Sequence, residues 1–314
     1  MGSSVSVSYT SLDDWLRARK TGIGASESAA ILGLSSFKSP YAVWADKISD
    51  ELPAREETAR QRWGHKLEAV IAEEFESESG VLVSDPGLYT VYYGEHHMLC
   101  TPDRLTMDGG VLEIKTAGID RTKDWESGPP LAYQVQVQHQ IACVGSTHGY
   151  LAVLIGGSDF RWFRLERNQK FIEALERQVD TFWAMVTTRT PPVIDGHAST
   201  RDALSHLHPA DDGSTVMLDE LYAGIARELV RTKAEAKELD SKVAALENQL
   251  RAAIGDATFG EADGMLVSLK TQTRDGYLKV APDKALALDN AGIEFKATAG
   301  STFRVLRVKE TSNG

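Results

Sequence analysis

The sequence predicts a mixed α/β domain over residues 1–195, with a central mixed sheet flanked by helices. A C-terminal extension follows over residues 196–314, with one long helix and short strands. Three observations predict this. Segments with apolar residues at helical spacing alternate with short runs rich in β-branched and aromatic residues. A strand–Asp-Gly-Gly–strand run sits in the middle of the first part. Composition then shifts at Thr190–Pro209, where Pro, His, Ser and Asp collect as in a linker.

Taken in order, Leu12–Lys20 reads as a helix and leads into the small-residue segment GIGASESAAILG, which turns into a second one. Tyr41–Ile48 is helical. Arg60–Ser79 is the clearest helix, with Trp63, Leu67, Ile71 and Phe75 on one stripe and Gly80 as its stop. Strands follow at Val81–Val83, Leu88–Tyr93 and Met98–Cys100, then the hairpin turning at Asp108-Gly109-Gly110. Pro129-Pro130 start a helix over Leu131–Val144. Gly149–Ile155 reads as a buried strand, Arg161–Leu165 as another, and Gln169–Thr187 as an amphipathic helix. Beyond the linker, Val216–Ile254 reads as one helix. Its apolar residues, from Leu218 to Leu250, mostly alternate at three and four. That pattern suits a coiled-coil arm or a helix laid on the main domain. Strand-like runs at Met265–Thr271 and Phe303–Val308 close the chain.

Composition bounds the function. Hydrophobic residues make up 42% and charged residues 25%, ordinary for a soluble globular protein. No apolar run reaches the roughly 18 residues that span a bilayer. The start, MGSSVSVSYTSLDDW, lacks the basic and apolar regions of a secretory signal, so a cytoplasmic protein is expected. Cys100 and Cys143 are too few for a disulfide scaffold and read as buried thiols. The net charge of −11 argues against loose coating of nucleic acid, although a channel lined locally by basic residues stays compatible with it.

Chemistry concentrates in Thr101–Thr116. Alternation along a strand sends Glu113 and Lys115 to one face and Leu112 and Ile114 to the other. The glycine pair permits the reversal that returns Asp103 beside Glu113. Two neighbouring carboxylates call for a cation, and hard oxygen ligands suit Mg²⁺ or Mn²⁺. Lys115 supplies a positive donor where a phosphodiester oxygen gains charge, or orients the attacking water.

Pro102-Asp103 … Glu113-Ile114-Lys115 resembles the PD-(D/E)xK nuclease core, the restriction-endonuclease-like fold. Four further segments resemble the phage recombination exonucleases, the YqaJ-like family that includes the lambda Red exonuclease. They are Trp15–Arg19 with Ile23–Glu27, Arg62-Trp63-Gly64 with Leu67-Glu68, Thr101-Pro102-Asp103, and Tyr133 with Gln136-Val137-Gln138. The resemblance spans residues 15–155. It implies that Asp103, Glu113 and the Ile114 carbonyl hold a first metal ion, and that Glu68 helps hold a second. It also implies that Gln136 orients Lys115 or the water, with Tyr133 beside the substrate. Arg19 and Ser26 would bind a 5′-phosphate, with Arg17 a weaker candidate. Arg104 departs from the family, which commonly has glycine there; it would either contact DNA or crowd the first metal.

His65, His96, His97 and His139 form no metal pattern. Trp15, Trp44, Trp63 and Trp183 read as core. The function expected is Mg²⁺-dependent 5′→3′ degradation of linear double-stranded DNA, leaving 3′ single strands for a single-strand annealing protein. The chain would be a phage or prophage protein in the bacterial cytoplasm, and the resemblance implies a homo-oligomer, possible as a ring. The rivals are an endonuclease on the same core, a non-catalytic DNA-binding scaffold and a coiled-coil interaction protein.

Overall fold

The computed structural model describes residues 4–51, 58–94, 96–274 and 301–310. The chain divides into two compact units, Met1–Asp212 and Gly213–Gly314.

The first unit runs β1 (Ser4–Ser8), α1 (Leu12–Arg19), β2 (Ile23–Gly24), α2 (Ala25–Ile31), α3 (Pro40–Ile48) and α4 (Ala59–Ser79). It continues with β3 (Val83–Ser84), β4 (Tyr89–Tyr93), β5 (Met98–Cys100), β6 (Arg104–Thr106) and β7 (Val111–Ala117). A 3-10 turn (Ile119–Trp125), α5 (Leu131–Val144), β8 (His148–Ile155), β9 (Asp159–Glu166), α6 (Gln169–Thr187) and α7 (Ala198–Leu207) complete it. The strands form a mixed five-stranded sheet, β3-β6-β7-β8-β9, and a four-stranded sheet, β1-β4-β5-β2. In the larger sheet only β7 and β8 run parallel. Helices cover both faces of that sheet, as expected for an α/β protein.

The two faces explain why β7 reads as it does. Leu112 and Ile114 pack with Ile71, Ala72 and Phe75 of α4 on one side. On the other, Val111 joins Val137 and Ile141 of α5. The close approach of α5 to the sheet needs Gly149, where a Cβ would stand 2.8 Å from Val137. Helix α4 starts at a capping box in which the Gln61 amide donates to Thr58 and the Thr58 amide returns to Gln61 Oε1. It ends on Gly80 in the left-handed region, φ 72°.

Three expectations need correction. Trp63 is 57% exposed, because the stripe of α4 meets the sheet only from Leu67 onward; Lys66 lies over its ring. The segment 190–209 is no simple linker: it contains α7, which packs on α3. Its Thr200 hydroxyl is buried and donates to Ser39 Oγ, 2.7 Å. The N-terminal residues, given no element from the sequence, form β1 against β4.

The second unit holds α8 (Glu220–Ile254) and an antiparallel sheet of β10 (Phe259–Ala262), β11 (Met265–Arg274) and β12 (Ser301–Glu310). Asp219 caps α8, accepting from the Tyr222 amide. No residue of α8 is buried. Among the described residues no helix is long and apolar enough to cross a membrane.

Candidate active site

Asp103 ends the run before β6, and the reversal through Asp108–Gly110 sets it against the middle of β7. There Asp103 Oδ2 accepts from the Ile114 amide at 2.7 Å. Glu113, on the opposite face of β7 from Leu112 and Ile114, points at α5 and is 3% exposed. The Gln136 amide donates to Glu113 Oε1 at 2.6 Å and the Gln140 amide to Oε2 at 2.5 Å. Lys115 completes the group with an ion pair to Glu113 Oε1. Its ammonium also lies 5.3 Å from the centre of the Tyr133 ring, which stacks on Trp125.

The electrostatics follow from burying two carboxylates beside each other. Burial first, then the charge of Glu113, pushes the Asp103 carboxyl well above the ordinary range, against the pull of Lys115 and the Ile114 amide. Burial works to lower the Lys115 pKa, but Glu113 and Asp103 outweigh it and raise it.

Six of the sequence-predicted residues meet in one cleft. Arg19 and Ser26 line it together with Asp103, Glu113, Lys115 and Gln136, around a space of about 170 Å³. Arg19 leaves the end of α1 with its guanidinium over the Trp15 ring, 4.8 Å from its centre. Ser26 is exposed at the second position of α2 and is not the cap, because Gly24 occupies that place. The Gly24 amide donates to Glu27 instead, at 2.8 Å. A second cleft of about 620 Å³ shares Ser26 and Gln136 and continues past Tyr133, Trp125 and Arg121.

Other candidates are not part of the lining of this cleft. Glu68 is half-buried on α4 and outside the lining of the first cleft. Burial raises its pKa; Glu113 adds to this while His65 and Arg104 oppose it. Among the described residues no group of three or more His, Cys, Asp or Glu side chains could hold a metal ion. Arg17, in the last turn of α1, pairs with Asp14 on the exposed face of that helix. Arg104 turns back to donate to the Asp103 carbonyl at 2.5 Å and lies 3.7 Å from Asp85.

The donor set still fits a hard divalent cation. Half-buried Asp103 and buried Glu113 line one cleft, and oxygen ligands of this kind hold Mg²⁺ with water completing its shell.

Sequence reasoning missed three features. Gln140 holds Glu113 as closely as Gln136 does; its position one helical turn beyond Gln136 was the signal. Gln138, in the same motif, faces away and holds the Glu166 carbonyl and the Asn168 amide. Beneath α2, Glu27 pairs with buried Lys47 at 2.7 Å. His139 joins α2 to β5: Ser28 Oγ lies 2.5 Å from Nδ1, and Nε2 lies 3.1 Å from the Leu99 carbonyl. Burial lowers the His139 pKa to about 4, so the ring is neutral, donating from Nε2 and accepting from Ser28.

A mixed α/β unit with this hairpin, helix and cleft defines a class, and the comparisons give it a family. Residues 14–147 match the model of the YqaJ-like viral recombinase domain. The uncharacterized protein YqaJ of Bacillus subtilis (strain 168) is 31% identical over 260 residues, which cover 81% of each chain. The chain belongs to this YqaJ-like family. Among solved structures, the alkaline exonuclease LHK-Exo from Laribacter hongkongensis is 21% identical, with a TM-score of 0.46. That match covers 63% of this chain and 100% of the other. A phage related exonuclease from Haemophilus somnus 129PT is 10% identical with a TM-score of 0.39, covering 54% of this chain and 96% of its own.

Proposed function

We propose that this protein is a Mg²⁺-dependent nuclease that degrades linear double-stranded DNA from the 5′ end, leaving 3′ single strands for recombination by annealing. One observation carries the reading. Carboxylates, lysine and glutamine from the hairpin and α5 share a cleft with Arg19 and Ser26, which come from a separate stretch of chain.

Each residue has a task in this reading. Asp103, Glu113 and the Ile114 carbonyl hold the metal, which when bound supplies a Lewis acid for the scissile phosphate. Glu68 is assigned to a second ion by family resemblance, whereas the geometry supports the Asp103–Glu113 pair more directly. Lys115 donates to a phosphate oxygen or orients the attacking water, and Tyr133 and Gln136 fix its position. Gln136 and Gln140 together hold Glu113 correctly turned. Arg19 supplies a planar fork, and Ser26 a hydroxyl, for a terminal 5′-phosphate. An end-recognising group beside the hydrolytic one favours an exonuclease over an internal cutter. A single-strand annealing protein would be the partner, the cytoplasm of a bacterial host the setting, and a homo-oligomer the assembly.

The test uses linear duplexes with a 5′-phosphate or a 5′-hydroxyl, beside covalently closed circles, with Mg²⁺ or EDTA. Only linear DNA should disappear, roughly tenfold or more faster with the 5′-phosphate, and not at all in EDTA or with Asp103→Ala. Arg19→Ala should erase the preference between the two ends. Cleavage of closed circles would replace this reading with an endonuclease, and binding without hydrolysis would leave a scaffold.

A further inference from the structure

Recognition of a 5′-phosphate by Arg19 requires a guanidinium that no carboxylate has already taken. Among the described residues Arg19 pairs with no carboxylate. Yet one stands beside it. A Cβ on Gly24, which lines the first cleft, would lie 3.3 Å from Glu27 Oε2 and 3.6 Å from Arg19 Nη2. Both groups therefore border the same point. Glu27 is buried, so water does little to screen it. Against burial, which works to raise it, Lys47, Lys38 and Arg19 hold its carboxyl at about 2. The carboxylate is ionised and attracts the guanidinium.

A set of donors keeps the two apart by occupying Glu27. Its Oε2 accepts from the Gly24 amide at 2.8 Å and from the Lys47 ammonium at 2.7 Å. Its Oε1 lies 3.6 Å from the Lys38 ammonium. Lys47 also donates to the Arg19 carbonyl at 2.8 Å, so one buried ammonium holds both residues. We propose that Lys47 is a positioning residue for end recognition: it occupies Glu27 and so leaves the Arg19 guanidinium open to a phosphate. This role rests on the reading of Arg19 as the group that receives the 5′-phosphate.

Tying α1 to α3 does not depend on Lys47 alone. Lys20 donates to the Asp46 and Ser49 carbonyls at 3.0 and 2.8 Å, so the end of α1 stays held against the end of α3 without it. Removing the Lys47 ammonium therefore leaves the main chain at Arg19 anchored through its neighbour, and Glu27 short of its closest cation. The cations that remain near Glu27 are Lys38, which Asp46 shares at 3.6 Å, and Arg19. Arginine and carboxylate form a strong charge-assisted pair. The guanidinium then turns to Glu27, and a phosphate has to compete with it.

The test measures binding to the full chain in EDTA, where no strand is cut, of duplexes that carry a 5′-phosphate or a 5′-hydroxyl. Fluorescence anisotropy should show the wild type favouring the phosphate about tenfold. Lys47→Met should lose roughly fivefold or more of that preference, with its affinity for the 5′-hydroxyl duplex unchanged. Glu27→Gln should keep the preference, because a neutral amide does not hold Arg19. Lys47→Met combined with Glu27→Gln should regain it. If Lys47→Met does not fold, Lys38→Ala at a part-exposed side chain takes its place, with an expected loss of about threefold that Glu27→Gln again reverses. Equal loss in Lys47→Met and Glu27→Gln, or weaker binding of both duplexes alike, would make the pair purely structural and overturn the proposal. Undiminished preference in Lys47→Met would overturn it too. A wild type that binds both ends alike would instead remove the reading of Arg19, and this role with it.

Discussion

At the scale of single residues, the site depends on how Glu113 is held. Its two oxygens face three donors, and two of these are glutamine amides one helical turn apart on α5. Removing one leaves a buried carboxylate oxygen short of a partner, which costs about 1–3 kcal/mol. Gln140→Ala should therefore lower stability by about that amount and reduce nuclease activity at least tenfold. It should also raise the Mg²⁺ concentration needed for half-maximal rate. Gln138→Ala is the control. That side chain holds the Glu166 carbonyl and the Asn168 amide, so its loss should reduce stability without changing the Mg²⁺ dependence. Denaturant titration beside a metal titration of the rate checks both, and equal behaviour of the two variants would remove Gln140 from the site. Asp103, Glu113 and Lys115 were readable in sequence because strand alternation and a glycine turn fix their placement through local geometry, whereas Gln136 was named from the family resemblance. Gln140 was visible only as a neighbour on the same helical face. Whether it touched Glu113 depended on how deeply α5 settles on the sheet, which Gly149 decides from another strand.

At the scale of elements, α2 carries Ser26 to the cleft and is anchored from beneath by charge. Burial works to raise the Glu27 carboxyl, but Lys47, Lys38 and Arg19 outweigh it and hold it at about 2. A carboxyl depressed in the folded state stabilises the fold above its ordinary pKa of 4.5, and that contribution fades as the pH falls towards about 2. Lys47→Met leaves Glu27 buried without its closest partner and should cost about 3 kcal/mol at neutral pH. The gap between variant and wild type should narrow below pH ~4.5. Urea denaturation at neutral pH and near pH 3 checks this, and a gap independent of pH would show that Lys47 acts through packing alone. None of this pairing was legible in the sequence, since a glutamate on α2 and a lysine on α3 have no periodic relation. Trp63 failed differently. The stripe on α4 has the right spacing, but the sheet it packs against covers only part of the helix, and periodicity does not report where a partner surface ends.

At the scale of the whole chain, the sequence placed a boundary by composition, whereas the fold places one by packing. The segment after α6 is rich in Pro, His and Asp, yet it contains α7, docked on α3. Ser39 caps α3 by accepting from the Ala42 amide, and its own amide donates to Ser199 Oγ at 2.9 Å while its hydroxyl accepts from Thr200. Helix α7 therefore completes the cap of α3, a role that polar residues perform and that composition reads as loop. Two truncations separate the boundaries. A chain ending at Asp212 keeps every one of these bonds and should melt with the transition that the first unit shows in the full protein. A chain ending at Asp195 exposes the face of α3 and leaves Ser39 without Ser199 and Thr200. That loss corresponds to about 2 kcal/mol, or a melting temperature about 5 °C lower. Calorimetry of both checks the outcome. Equal melting temperatures would mean that α7 adds nothing to the first unit and that the compositional boundary is the physical one.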